Sequence, residues 1–335
     1  MGRSMRYVCA CTALLLAVAC SDQSSAPTEP QAGAPSFKTA FSGAPEVLTN
    51  AIIHRTVEAV AAARAGGPFG ASSTSNLSYH GGVGGIGVED KPKVYLVFWG
   101  SQWSSDPSGE AAILNNFLSN VGGSSWVNSV IQYCQGVATG AVACPSGSDL
   151  AGNPASVLAG VLHDNTTAAP AHPKQSQLAA EAVRAAGQFG NNTATSNASV
   201  QYVIATAHNN NSRGFGTQYC AYHSYTSSSY GNVAYTNLPY ITDAGASCGA
   251  NFNGLGAKAG ITIVEGHELA ETMTDQFPSG GWLDSNGSEN GDKCAWSSAT
   301  TNETFGTSSY AVQPLWSNAG NNANGNSPGC VLSYP

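Results

Sequence analysis

Apolar runs alternate with Gly-, Ser- and Asn-rich stretches along this chain, and the spacing inside each run separates strands from helices. PKVYLVFWG (92–100) is a short β-branched and aromatic run ending in glycine, which predicts a buried strand; VQYVIATA (200–207) predicts a second. QYCAYHSYT (218–226) and NVAYTNLPY (232–240) predict two more, joined as a hairpin across SSSYG. Helical spacing appears in GEAAILNNFLSNV (109–121), with WVNSVIQYC continuing into a second helix. KQSQLAAEAVRAAGQFG (174–190) is rich in Ala and Gln and stopped by Gly, so it also predicts a helix. Val47, Ile52, Val57 and Val60 predict a helix over 46–65, with His54 on its polar face. The last helix, about 257–275, carries EGHELAETMTD. Residues 135–170 and the final stretch from about 296 predict irregular structure, the latter held by Cys330. This order of elements predicts an α+β fold: a twisted mixed β-sheet backed by helices, with the EGHELAETMTD helix beneath it.

Composition narrows the class. The chain has 335 residues, enough for one large domain or two small ones. Charged residues make up only 10% and the formal net charge is -8, so no basic face exists for nucleic acid. Arg3 and Arg6 precede an apolar run from Val8 to Val18, too short to span a bilayer and suited to a signal peptide over 1–20. That segment ends in LLLAVACSD, which resembles a lipobox with Cys20 as the lipidated residue; ordinary cleavage near Ala19 is the alternative. Either route takes the protein out of the cytosol, with membrane attachment only through an N-terminal lipid. Residues 21–76 read as a disordered tether, Pro- and Ser-rich at first. Within it, 46–65 is a candidate pro-segment that covers the cleft of a domain spanning 77–335.

Outside the leader, six cysteines remain: Cys134, Cys144, Cys220, Cys248, Cys294 and Cys330. An even number in an exported chain predicts disulfides. Chain proximity favours Cys134–Cys144, Cys220–Cys248 and Cys294–Cys330.

The chemistry concentrates in EGHELAETMTD. On a helix, His267 and Glu271 lie about 40° apart and one turn above each other, so both reach one ion. Glu268 stands about 100° round from His267, placed to take a proton from water. This is the His-Glu-x-x-His arrangement with a carboxylate in place of the second imidazole, which zinc accepts. Asp275 lies near the same face as a supporting group. A catalytic zinc needs a third protein ligand, and the Gly-rich loop after the helix offers Glu289 and Asp292. Glu289 is favoured as the ligand, with Asp292 supporting His267 through its free N–H. Calcium fits less well, because His267 supplies nitrogen. His80 is a possible extra ligand, His223 a cleft residue, and His163, His172 and His208 loop or strand-end residues.

YHGG, VYLVFWG, GHELAETMTD, GGW and ENGDKCAW together resemble the Exordium-like (phosphate-induced protein) family, in its secreted bacterial branch, over about residues 77–335. The family pattern matches at His267, Glu268, Glu271, Glu289 and Asp292. The element order is also similar to that of the zincin metalloproteases, in which an edge strand beside the metal helix binds extended peptide; 232–240 is the candidate edge. The resemblance supports the site more than any substrate; with the export signal and the motif chemistry it points to an exported zinc-dependent hydrolase acting on a peptide or protein substrate, with Glu268 as general base. An amidase acting on cell-wall peptide would use the same residues. The rival class is a non-catalytic extracellular binding or signalling module braced by a structural metal.

Overall fold

A computed structural model describes residues 46–65, 75–323 and 329–334, all within one compact unit. The predicted signal peptide with Cys20, and the tether as far as residue 45, lie outside the described residues.

Six strands build the central sheet: β1 (Ala51–Arg55), β2 (Lys93–Trp99), β3 (Leu158–Asp164), β4 (Val200–Thr206), β5 (Tyr219–Ser228) and β6 (Gly231–Leu238). Their order across the sheet is β1, β5, β6, β4, β2, β3. β6, β4, β2 and β3 run parallel. β5 turns back antiparallel on β6, and β1 lies antiparallel on β5. Successive side chains point to opposite faces of a strand. In β2, Val94, Leu96 and Phe98 therefore join one core, and Val97 and Trp99 join the other.

The four longest α-helices are α1 (Val57–Arg64), α2 (Glu110–Asn120), α3 (Gln175–Gln188) and α4 (Ala259–Thr274). α3 supplies Leu178, Ala182 and Ala185 to the core on one face of the sheet. α2 and α4 fill the other face with Leu114, Phe117, Ile263, Leu269 and Met273. A hairpin of β7 (Thr301–Phe305) and β8 (Ser308–Val312) adds Phe305 and Val312 to that second core. The result is a mixed α/β fold with a central mixed sheet, helices on both faces and three disulfides.

Several expectations are corrected here, among them the irregular C-terminal part, which contains the β7–β8 hairpin. Residues 46–65 do not form one helix. Ile52 and Ile53 pair with β5 as a strand, and α1 starts only after Thr56, its N-cap, whose side chain accepts a hydrogen bond from the Ala59 N–H at 3.3 Å. The folded part therefore begins well before Leu77. The 232–240 segment is not an edge, because β6 is paired on both sides and the edges are β1 and β3. The supposed loop 135–170 contains β3, whose Leu-Ala-Gly-Val-Leu-His-Asp run carries little β-branched signal. The three disulfides join the pairs that chain proximity predicts. No helix among the described residues is long and apolar enough to cross a membrane.

The path after α4 positions the site. The Asp275 carboxylate accepts hydrogen bonds from the N–H groups of Ser279, Gly280 and Gly281 at 2.7, 3.0 and 2.5 Å, which turns the chain back. Asp284 binds the N–H groups of Asn286 and Ser288 and the buried Lys293 ammonium, closing the next turn. The Asn290 side chain donates to Ala270 O and Thr274 Oγ1, docking the loop on α4. Cys294, two residues past Asp292, ties the loop to Cys330. Gly291 lies against the motif itself: a Cβ there would sit 2.8 Å from His267 Nδ1 and 2.9 Å from Glu271 Oε1, so only glycine allows this approach.

Candidate metal centre

Every residue of α4 is buried, including Glu265, His267, Glu268 and Glu271. Charged groups at that depth are costly unless paired or bound to metal. His267 Nε2 lies 2.9 Å from Glu271 Oε1, one turn along the helix as its spacing dictates. Asp292 Oδ1 lies 3.9 Å from the same nitrogen, and the Asp292 N–H donates to Glu271 Oε1 at 2.9 Å. The ligand atoms of His267, Glu271 and Asp292 all fall within 4.8 Å of one another. Donors about 2.1 Å from a tetrahedral ion stand about 3.4 Å apart, so this spacing suits a shared cation.

The loop residues divide the work differently from the sequence expectation. Glu289, favoured as the third ligand, is engaged by His223, with Oε2 at 2.8 Å from Nε2. Asp292 takes the place beside His267 and Glu271. The support for the His267 ring comes from Gln313: Nδ1 lies 3.2 Å from its Oε1, while its Nε2 donates to Gly291 O at 2.7 Å. That amide orientation makes Nδ1 the protonated nitrogen and leaves the Nε2 lone pair for a metal. Asp275 meets the Glu289 side chain while holding the turn after the helix.

Two histidines join the site that no sequence motif marked. His223, on β5, faces α4 because its neighbour Tyr222 faces the α3 side. Its Nε2 is 3.6 Å from Glu271 Oε2. His54, predicted on a polar face, is fully buried on β1. Its ring stacks on His267 with centroids 3.7 Å apart and planes 2° from parallel, and Trp296 packs beyond it at 4.8 Å. An imidazole binds metal in its own plane, so two rings stacked this way cannot share an ion; His54 covers the site instead. Its backbone N–H faces the Glu268 carboxylate outside hydrogen-bond geometry. Of residues 46–65, the strand β1 carries His54 onto the site. His80, His163 and His172 are exposed, and His208 pairs with Asp243 at 2.5 Å away from this cluster.

Burial shapes the charges. It raises Glu268 well above the ordinary carboxyl range, and the neighbouring Glu271 and Glu265 push it further. Burial also raises Glu289, reinforced by Glu271 and Asp275. Asp292 is pushed up to about 7 by burial and then by Glu271. Burial alone would raise Glu271 too, but the adjacent His267 brings it below its usual value. His267 rises in turn, since Glu271 outweighs the opposing effect of burial. His223 is lowered to about 4 by burial, against the pull of Glu271. Glu271 is thus the ionised acid at the centre, surrounded by carboxyls that need positive charge to ionise.

Several buried atoms here have no hydrogen-bond partner: both oxygens of Glu268, Glu271 Oε2, Glu289 Oε1 and His267 Nε2. Buried polar atoms are nearly always satisfied, and a metal satisfies lone pairs of this kind. These buried His, Glu and Asp groups can bind a metal ion. The chain matches no protein-family model, no curated protein and no solved structure.

Proposed function

We propose that the chain is an extracytoplasmic, zinc-dependent hydrolase, most simply a peptidase, related to the zincins in its motif helix and to the Exordium-like family in its sequence blocks. The observation that carries this reading is the convergence of His267, Glu271 and Asp292, with Glu268 beside them and both its oxygens unpartnered. His, Glu and Asp donors suit zinc, and His267 disfavours calcium. Zinc bound there would supply Lewis-acid polarisation of a carbonyl and acidify water. Gln313 holds the His267 tautomer. Glu268, whose environment raises its proton affinity, is suited to take a proton from water and return it to a leaving amine. The three disulfides fit an oxidising compartment. β1 and His54 lie over the centre, so the described conformation is a closed one.

The test is Glu268→Gln. It should retain metal at His267, Glu271 and Asp292 while peptide hydrolysis falls by about 10²- to 10⁴-fold. One observation favours the rival reading of a structural metal in a binding module: His267, Glu268 and Glu271 are all 0% exposed. In that case Glu268→Gln leaves function intact, and no peptide is cleaved by the wild type.

A further inference from the structure

We propose that the centre holds two divalent cations bridged by Glu271; this rests on the metal-site reading above and extends it. The two oxygens of Glu271 diverge. Oε1 lies 2.9 Å from His267 Nε2, and Oε2 lies 3.6 Å from His223 Nε2. Within 4.8 Å, His267 groups with Glu271 and Asp292, and also with Glu268 and the stacked His54, while His223 groups with Glu268 and Glu271. Among the described residues no such set contains both His267 and His223. A carboxylate that offers one oxygen to each of two sets has the geometry of a bridging ligand in a two-metal site.

The second set is as deeply built as the first. His223 is 1% exposed, Glu268 and Glu271 are 0% exposed, and Glu289, at 0%, lies against the same nitrogen of His223 at 2.8 Å. Glu271 Oε2, both oxygens of Glu268 and Glu289 Oε1 lack partners. Glu268 and Glu289 therefore bring open oxygens to the His223 side of Glu271, whose own Oε2 is open there too. Charge points the same way. Glu268, Glu271, Glu289 and Asp292 are four carboxylates around neutral imidazoles, and two divalent cations balance them. One cation leaves two buried acids that must stay protonated or stand unpaired. Mixed imidazole and carboxylate donors suit Zn²⁺, Mn²⁺ or Co²⁺. Glu268 needs only one oxygen for the second cation and keeps the other for proton transfer.

The experiment loads the full, disulfide-bonded chain with Mn²⁺, removes excess by dialysis, and measures metal per chain and the electron paramagnetic resonance spectrum. The expected result is two Mn²⁺ per chain with a spin-coupled signal. His223→Ala should then hold one Mn²⁺ with the six-line spectrum of an isolated ion. His223→Gln, which keeps a hydrogen-bond donor toward Glu289, gives the same reading if the alanine variant does not fold. One Mn²⁺ per chain, unchanged by either substitution, would overturn the second cation and leave the first in place. No Mn²⁺ or Zn²⁺ in the wild type would overturn both.

Discussion

His267 depends on a residue that lies 46 positions further along the chain. Gln313 fixes which ring nitrogen carries the proton, and its other end holds Gly291 against the ring. Gln313→Leu keeps the volume but removes both bonds, and should weaken zinc binding by about 10- to 100-fold in a competition titration, with the fold retained. Glu110 offers a separate pH test away from the metal. It is buried, with its carboxylate accepting from the Ile241 and Thr242 N–H groups and the Thr242 hydroxyl. Burial still pushes it from 4.5 up to about 7. The native state therefore holds the proton more tightly than the unfolded chain. The stabilisation from this group is complete below pH 4.5 and is lost as pH rises to about 7. The loss should be about 3 kcal/mol in chemical denaturation, and Glu110→Gln should abolish that slope. Legibility at this scale followed spacing. His267, Glu268 and Glu271 could be read because a helix puts positions one turn apart together. His54 and Gln313 could not, because each reaches the site through sheet pairing or a distant hairpin, and His223 could be placed only in a cleft, not beside Glu271. The one available signal was alternation, which sets His223 opposite in facing to Tyr222.

Among the elements, β1 departs most from what its sequence suggests. Its apolar spacing fits a helix, yet two adjacent isoleucines and the partner strand β5 decide for a strand. The consequence is functional, since a strand carries His54 onto His267 and a helix would have left it outside. The stack is worth about 1 kcal/mol, a factor of roughly five. His54→Ala should therefore speed the loss of bound zinc to a chelator by about that factor and raise peptide hydrolysis. Unchanged rates for both would mean that β1 does not limit access. β2, β4, β5, β6, α2, α3 and α4 were legible because each is a long run with one clear period. β3 was not, since Gly160, His163 and Asp164 interrupt its apolar run, nor was the β7–β8 hairpin, since Thr, Ser and Asn fill much of it.

At the scale of the whole molecule, the fold concentrates acid in its interior while its composition is poor in charge. A chain with 10% charged residues places Glu265, Glu268, Glu271, Asp275, Glu289 and Asp292 around one helix and its following loop. Burying these acids opposes folding, and a cation bound only to the native state would offset that cost. The sheet supplies His223 through β5 and the covering His54 through β1. α4 supplies the axis, and the loop closed by Cys294–Cys330 supplies the far wall. All three layers meet at Glu271. The most direct measurement is an anomalous difference map at the zinc absorption edge, from crystals of the zinc-loaded protein. The account predicts a peak within about 2.2 Å of His267 Nε2 and of the nearer oxygens of Glu271 and Asp292. A map with no peak there, from protein soaked in zinc, would contradict it.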